Sequence, residues 1–290
     1  ATRKASNSVI NAIAPAHPVL VGGSADLSES TLTTQKEFSR FTAENRAGRN
    51  LHFGVREHAM AAAVNGMTLS GLKGYGGSFF CFTDYCRPSI RLAALMECPS
   101  TYVFTHDSIG LGEDGPTHQP VEQIASLRAI PGLDVIRPAD ANEVAEAWRL
   151  AIDRHHQPVA LILTRQDVPI FDRTKYASAA GVRRGGYVLA DPPAGEPEVI
   201  LIATGSEVSL ALAAHEELAA AGTRSRVVSL PCWELFDRQD QAYRDEVLPP
   251  QVRARVSIEE ASTLGWDRWI GPEGAMVGMH TFGSSAPLKD

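Results

Sequence analysis

A chain of 290 residues, 44% of them hydrophobic, can bury a large core, and its length is typical of two globular domains. The net charge is -7, with 15 basic and 17 acidic side chains through residue 170 and 12 basic and 17 acidic side chains after it. Neither part therefore offers the basic surface of a nucleic-acid-binding protein. There is no run of 18 apolar residues and no hydrophobic signal segment, so the sequence predicts no membrane partner and a cytoplasmic location.

In the first 170 residues, short apolar runs alternate with helical patterns. The apolar runs predict strands at 18–21, 51–53, 101–105, 134–136 and 159–164. The helical patterns cover 57–70, 84–97, 121–129 and 140–153. Asp140 stands three residues before Glu143, the spacing of a helix N-cap. This alternation predicts a mainly parallel sheet with helices on both faces.

Turn-forming residues dominate the segment 171–197, which includes Gly185-Gly186 and Pro192-Pro193 and predicts a linker with one short strand. Further on, the patterns predict strands at 198–204, 225–230 and 255–259 and a helix at 206–221. We therefore predict two doubly wound α/β domains. The first domain covers residues 1–170, and the linker covers residues 171–197. The second domain, residues 198–290, contains a smaller mixed sheet.

The four cysteines lack the CxxC spacing of a zinc site, and three of them stand in apolar stretches. We expect them to be reduced thiols, mostly buried, and we predict no metal ligand among them. The four are Cys81, Cys86, Cys98 and Cys232.

Three loops that follow predicted strands are rich in glycine and polar residues, and ligands bind at the carboxyl ends of parallel strands. These loops are 22–26, 54–58 and 106–119. The third contains Gly110-x-Gly112-x-x-Gly115, which matches a dinucleotide fingerprint in spacing. Pro116 and Pro120 stand where the phosphate-binding helix would have to run, so the context argues against that interpretation.

Two other motifs in the third loop also fail on context. His106, Asp107 and Ser108 are consecutive, whereas the members of a hydrolase triad come from separated positions. Glu113-Asp114-Gly115 differs from the Gly-Asp-Gly metal motif because Glu113 replaces the first glycine. The sequence therefore predicts that this loop binds substrate and not a metal ion.

The segment Thr105-His106-Asp107-Ser108-Ile109-Gly110-Leu111-Gly112-Glu113-Asp114-Gly115-Pro116-Thr117-His118-Gln119 resembles the long signature of the transketolases. Other motifs of that family follow in the same order, and the resemblance covers essentially the whole chain. These motifs are 3–6, 22–27, 54–60, 277–279 and 281–283. The resemblance implies a thiamin diphosphate-binding fold followed by a transketolase C-terminal-like domain.

In that family, a carboxyl group on the cofactor's pyrimidine nitrogen promotes the imino form that removes the C2 proton of the thiazolium. Glu57 matches this catalytic glutamate. Taken alone, a Glu in the first turn of a helix is more often a surface residue that complements the helix dipole, and aromatic residues more often pack in a core. The other positions that match cofactor-binding residues are Asp26, Leu27, Phe79, Phe82 and Tyr85.

The resemblance also implies sugar-phosphate substrates, with a two-carbon ketol unit moving from xylulose 5-phosphate to ribose 5-phosphate in the pentose phosphate pathway. Asp114 matches the residue that binds a substrate hydroxyl, and His118 matches a catalytic residue that assists proton transfer at the reacting carbon. The residues that match the phosphate side are Arg3, Ser30, His106 and Arg165.

The diphosphate-binding domain of the family and its metal motif do not occur in this sequence, and neither does the family's last helix after 283–287. We expect that domain, on the same or a separate chain, to hold most of the thiamine diphosphate and Mg²⁺ (or Ca²⁺). This chain would then supply the pyrimidine half of the site in a homodimer and be inactive alone. The alternatives are a dihydroxyacetone synthase and a non-catalytic fragment or dimerisation module.

Overall fold

The computed structural model describes residues 2–287 and contains two sheets, each covered by helices. Ala1 and residues 288–290, the outer ends of the two predicted domains, lie outside the described residues. Within the described part, no helix is long and apolar enough to cross a membrane.

The first sheet has six strands, and every pair of neighbours in it is parallel. The strands are β1 (Leu20–Ser24), β2 (Asn50–His52), β3 (Lys73–Phe79), β4 (Thr101–Thr105), β5 (Asp134–Ile136) and β6 (Val159–Leu163). Their order across the sheet is β2-β1-β3-β4-β6-β5. The helices around it are α1 (Thr2–Ile13), α2 (Ser28–Thr31), α3 (Glu57–Leu69), α4 (Thr83–Leu95), α5 (Gln123–Arg128) and α6 (Ala141–Asp153).

Side chains alternate between the two faces of this sheet, as the pleat of a strand requires. On β6, Leu161 packs with α1 and α6 in one buried cluster. The next residue, Ile162, packs with α3, α4 and α5 in another. Both faces of the sheet are therefore covered by helices, as predicted.

The second sheet has five strands and is mixed, because β7 runs antiparallel to β9 while the other pairs are parallel. The strands are β7 (Tyr187–Ala190), β8 (Val199–Ala203), β9 (Ser225–Ser229), β10 (Arg255–Ser262) and β11 (Ala275–Met279), in the order β11-β10-β8-β9-β7. The helices are α7 (Val208–Ala220), α8 (Trp233–Asp237), α9 (Gln241–Val247) and α10 (Asp267–Ile270). The strand expected within the linker is thus an edge of this sheet.

Strand β3 is the main element that the sequence analysis missed. Its sequence, Lys-Gly-Tyr-Gly-Gly-Ser-Phe, contains three glycines and has no apolar run. Two of the glycines, Gly74 and Gly76, are needed because α3 packs closely on the strand. A Cβ at Gly74 would lie 2.9 Å from the Val64 carbonyl oxygen, and one at Gly76 would lie 3.0 Å from Val64 Cγ2. β1 also differs from prediction, since it includes Gly22 to Ser24 and not only the apolar run before them.

The predicted N-cap of α6 is confirmed. Asp140 Oδ1 accepts a hydrogen bond from the Glu143 backbone N–H at 2.9 Å. Glu143 Oε2 in turn accepts one from the Ala139 N–H at 2.8 Å. These two bonds satisfy backbone donors that the start of a helix leaves without partners.

Helix α6 lies between the two sheets, and its Trp148 is a centre of the packing there. Trp148 is 1% exposed and belongs to a buried cluster that also contains Leu161 of the first sheet and Leu201 of the second. Its ring meets Tyr75 edge-on at 6.1 Å, and its indole N–H donates to Ser6 Oγ at 2.8 Å. One hydrophobic core is therefore continuous across the two domains.

We expect Trp148→Ala to lower the free energy of unfolding by about 3–5 kcal/mol, because it empties a site that the packed core cannot refill. Trp148→Phe keeps a ring but removes the N–H that Ser6 accepts, and should cost about 1–2 kcal/mol. Urea unfolding followed by circular dichroism measures both. Leu210→Ala, at a position that is 55% exposed, serves as control and should change the stability by less than about 0.5 kcal/mol. A Trp148→Ala variant as stable as that control would contradict this account of the core.

Candidate active site

The candidate site lies along one edge of the first sheet. Because its strands are parallel, their carboxyl ends meet at the same edge, and a residue proposed from the sequence follows each of five strands there. Those strands end at Ser24, His52, Phe79, Thr105 and Leu163. Arg3 comes from α1, whose first residue, Thr2, donates its backbone N–H to Thr164 Oγ1 at 3.1 Å, just beyond β6.

Glu57 is the first residue of α3 and is only 6% exposed. Ser78, near the end of β3, donates a hydrogen bond from its hydroxyl to Glu57 Oε1 at 3.1 Å. The start of the helix and this hydroxyl both suit an acidic side chain at this place. A Glu that occupies the first turn only to complement the dipole would be expected in solvent, so the burial of Glu57 separates it from that alternative.

An aromatic wall lies beside Glu57. A cleft of about 510 Å³ is lined by Glu57, Phe82 and Tyr85, together with Val55, Arg56 and His58. Phe79 and Phe82 stack with ring centroids 5.8 Å apart, and Tyr85 follows at 6.0 Å from Phe82. Phe79 is buried, but Tyr85 is 65% exposed on the open side of the cleft. A flat heteroaromatic ring fits such a wall, with the buried carboxyl of Glu57 at one side.

The loop 106–119, called the substrate loop below, brings two histidines onto this wall. The His106 ring lies 3.8 Å from Phe79, and the His118 ring lies 5.6 Å from Phe82, measured between centroids. His106 has φ of 61°, in the left-handed region that side chains with a Cβ seldom adopt. The backbone is therefore strained at His106, and this conformation places its ring at the aromatic wall.

His106 is neutral at physiological pH. Burial, followed by the positive charges of Arg3 and Arg165, lowers its pKa to about 3. The Thr105 hydroxyl lies 2.9 Å from His106 Nδ1. His106 can therefore give or accept a hydrogen bond to a ligand, but it does not offer an imidazolium charge.

Two arginines lie near each other at the other end of the site. Burial, and then the charge of Arg165, lowers the pKa of Arg3. Arg3 donates through Nη1 to the Ser30 carbonyl, while its buried Nε has no hydrogen-bond partner among residues 2–287. Arg165 is exposed and donates to the Leu111 carbonyl at 3.3 Å. Two close cations, one with an unused donor, suit an anion such as a phosphate.

The remaining candidates lie on two surface turns of the same edge. Asp26 and Leu27 follow β1; Asp26 is exposed with φ of 64°, and the Leu27 N–H donates to Ser24 Oγ at 3.2 Å. Asp114 is exposed on the substrate loop, and its negative charge partly offsets the lowering of the pKa of Arg3. Contacts among the described residues thus place these side chains at the edge but do not join them to Glu57.

The substrate loop is supported from behind by the second domain, which the sequence analysis did not anticipate. Gln119 Nε2 donates to the Ser284 carbonyl at 3.0 Å, and the Ser285 hydroxyl donates to the Glu113 carbonyl. Asp107 accepts from Arg137 Nε at 2.9 Å and is almost fully buried. Nothing in the sequence pattern marks Ser78 or Arg137, and the signature that contains Gln119 does not reveal its contact with the second domain, because the partners of all three are distant in the chain.

Among residues 2–287, no group of three or more His, Cys, Asp or Glu side chains is arranged to hold a metal ion. The four cysteines are free, and three are buried. Burial raises the pKa of Cys81, the most accessible of them, to about 12, so its thiol remains protonated.

The sequence matches two family models that together span most of the chain. Residues 1–170 match the family described as transketolase, pyrimidine binding domain, and residues 185–290 match the transketolase-like C-terminal domain. A transketolase of Geobacillus stearothermophilus is 56% identical over 288 residues, covering 99% of this chain and 43% of that protein. The chain therefore spans less than half the length of such relatives.

Solved structures of transketolases are also similar to this chain. Transketolase from Leishmania mexicana superposes with a TM-score of 0.94 at 46% identity, over 100% of this chain and 42% of that one. A Pichia stipitis transketolase in complex with sedoheptulose 7-phosphate has the same TM-score at 43% identity, also covering 100% of this chain and 42% of its own. A split-gene transketolase, described as an inactive β4 tetramer, has a TM-score of 0.78 at 25% identity and matches 97% of this chain and 90% of its own.

The electrostatics of His106 can be checked by NMR. We expect its imidazole resonances not to move between pH 5 and pH 8, because burial and two neighbouring arginines disfavour the charged form. In the urea-denatured chain, the same ring should titrate near the ordinary value of about 6.5. Arg165→Ala should raise the pKa of His106 without restoring the ordinary value, since burial and Arg3 remain. Titration of the folded wild-type ring near pH 6.5 would refute the assignment.

Proposed function

The chain belongs to the transketolase family, and from that membership and the geometry of the sheet edge we propose that it supplies the pyrimidine-binding half of a transketolase active site. The observation that carries the proposal is the buried carboxyl of Glu57 beside the wall of Phe82 and Tyr85. Together with the diphosphate-binding half, the enzyme would move a two-carbon ketol unit from xylulose 5-phosphate to ribose 5-phosphate.

The cofactor fits the residues at this edge. The cleft offers an aromatic surface to a flat ring and a buried carboxyl at its side, and these two features suit an aminopyrimidine. When bound, thiamine diphosphate supplies the carbon nucleophile that accepts the two-carbon unit. Phe79, Phe82 and Tyr85 would hold the pyrimidine end, with Asp26 and Leu27 at the neighbouring turn. The diphosphate and Mg²⁺ would be held by the part of the enzyme that this chain does not cover.

In this proposal, Glu57 acts as the acid-base group of the chain. Its carboxyl is buried and accepts a hydrogen bond from the Ser78 hydroxyl, and it lines the cleft, where it can share a proton with a pyrimidine nitrogen. His118 stands over the same aromatic wall, partly exposed, where it can pass a proton to or from the reacting carbon of the substrate.

The sugar phosphate would bind along the rest of the edge. Arg3 and Arg165 would take its phosphate, with Ser30 nearby and neutral His106 giving a hydrogen bond without adding charge. Asp114, on the exposed side of the substrate loop, would accept from a hydroxyl of the sugar. The Pichia stipitis transketolase, a relative of this chain, forms a complex with a sugar phosphate, which supports this substrate class.

The diphosphate half could belong to the same or a separate polypeptide, and we propose a separate chain as a workable arrangement. The split-gene transketolase supports it, because a chain of nearly the same extent exists there as an inactive tetramer. Homodimerisation and a cytoplasmic location remain predictions.

Complementation tests the proposal. Alone, the chain should show no ketol transfer from xylulose 5-phosphate to ribose 5-phosphate. We expect activity when it is mixed, with thiamine diphosphate and Mg²⁺, with the part of the Geobacillus stearothermophilus transketolase that it does not cover. An inactive mixture would contradict the proposal. In calorimetry, tight Mg²⁺-dependent binding of thiamine diphosphate by the isolated chain would contradict the assignment of the diphosphate to the other half.

In the complemented enzyme, we expect Glu57→Gln to lower kcat by about 100-fold or more, because the amide keeps the shape and the Ser78 contact but cannot exchange a proton. Steady-state ketol transfer measures the loss. Glu44→Gln removes the same charge at an exposed position and is the matched control, with kcat expected to stay within about twofold of wild type. Equal activities of the two variants would remove Glu57 from the mechanism.

A further inference from the structure

The substrate loop touches the second domain through a buried cluster of charges, called the acidic cluster below. It consists of three carboxyl groups, from Asp107, Glu207 and Glu260, near a single guanidinium, that of Arg137. Arg137 donates to Asp107 at 2.9 Å and also to Glu207. The Glu260 carboxyl receives no guanidinium hydrogen bond among the described residues, so it is the least compensated of the three.

Glu260, near the end of β10, lies directly against the substrate loop. A Cβ placed on Gly110 would be 3.1 Å from Glu260 Oε2 and 2.4 Å from Gln166 Nε2, so both side chains pack on the Gly110 backbone. Ser108 stands beside them, and its hydroxyl accepts a hydrogen bond from the Gly110 N–H at 3.3 Å. The Ser108 side chain partly opposes the rise in the pKa of Glu260. The turn 108–110 is therefore shaped partly by a residue of the second domain.

This region has more buried acceptors than donors. Asp107 Oδ1, Gln166 Oε1 and Glu260 Oε2 are all buried, and none has a hydrogen-bond partner among residues 2–287. A buried acceptor without a donor is costly, and so is an excess of negative charge. A proton on one carboxyl group reduces both costs, since it adds a donor and removes a charge. Glu260, which lacks an arginine partner, is the group expected to carry it.

The charged groups that face Glu260 come from four segments. Glu207, from the turn 205–207, and Asp107, from the substrate loop, repel an ionised Glu260, while Arg137, after β5, attracts it. On β10 itself, Glu259 is paired with Arg128 at 2.8 Å. Burial, followed by the charge of Glu207, raises the pKa of Glu260 to about 6. The carboxyl group thus changes charge close to neutral pH.

We propose that Glu260 is a positioning residue for the substrate loop. Its protonated carboxyl packs against the turn 108–110, and its ionised form is repelled by the acidic cluster and loosens that turn. His106 precedes the turn by two residues and Asp114 follows it by four, so the state of Glu260 sets how well these two side chains are placed. The consequence for substrate binding rests on the proposed function, whereas the coupling between Glu260 and the loop does not.

The isolated chain tests the coupling through its stability. Because the folded pKa of Glu260 lies above its ordinary value of 4.5, wild-type stability that is present below pH 4.5 is lost as the pH rises through about 6. Glu260→Gln has no such titration. We therefore expect its urea midpoint, compared with that of wild type, to be higher at pH 8 than at pH 5. Glu217→Gln, an exposed carboxyl of the same domain, should show a constant difference from wild type.

Hydrogen exchange of the backbone amides measures the effect on the substrate loop directly. At pH 8, the backbone amides of residues 108–113 should exchange more slowly in Glu260→Gln than in wild type. The upper limit is about 30-fold, the factor that corresponds to a pKa change from 4.5 to about 6. At pH 5, the upper limit on this difference should fall to about fourfold, because most of the folded wild-type protein then carries the proton on Glu260. Parallel behaviour of Glu260→Gln and Glu217→Gln in both measurements would overturn the proposal.

The complemented enzyme tests the consequence for substrate. At pH 8, Glu260→Gln should lower KM for the sugar phosphate by about threefold or more with little change in kcat. The ratio of the two KM values should be closer to one at pH 5.5 than at pH 8. Because a phosphate group itself titrates near pH 6, only ratios between variants at one pH are compared. A slowed exchange without a KM effect would make Glu260 structural and refute its positioning role. If no complemented sample were active, the proposed function would fail, while the stability and exchange results would still decide the coupling.

Discussion

The arrangement of the two domains and the substrate loop depends on the hydrogen bonds and ion pairs of one buried guanidinium group, that of Arg137. Arg137 is 1% exposed, and a charge so far from water must be matched by charges and hydrogen bonds of the protein. Its partners are Asp107 after β4 and Glu207 and Thr204 after β8, and its own backbone bonds to Gly205 and Pro231. One side chain thus fixes the end of β5, the substrate loop and the entry to α7 relative to one another.

This constraint explains why the second domain matters for a site whose candidate residues all lie in the first. Residues 108–116 of the substrate loop include three glycines and a proline and form little regular structure of their own, so the shape of the loop must come from its neighbours. Arg137 holds one end through Asp107, Glu260 packs on its middle, and the segment 283–285 bonds to its far end. The edge that carries the candidate site is built by parallel strands, but the substrate loop at that edge is held largely by the other domain.

Much of this could be predicted from the sequence. The alternation of apolar runs and helical patterns predicted the parallel sheet, and the Asp140 cap was predicted because a capping box is a local pattern. β3 was not predicted, because two of its three glycines allow α3 to pack closely against it, a contact that no local pattern reveals. The aromatic wall and Glu57 could be named only through the family resemblance; their shared cleft and the Ser78 bond depend on tertiary contacts. Glu260 has no signal at all, since its environment is assembled from four distant segments.

The open side of the cleft gives the strongest physical reason to regard the site as a half. Val55 and Tyr85, at 77% and 65% exposure, line the same cleft as the buried Glu57. Proton exchange by a carboxyl and carbon-carbon bond chemistry both need water to be excluded, and a wall exposed on one side cannot exclude it. A second surface that covers these side chains would bury apolar area and close the cleft in a single step. In the proposed enzyme, the surface that brings the diphosphate is also the lid, so the chemistry begins only when the two halves meet.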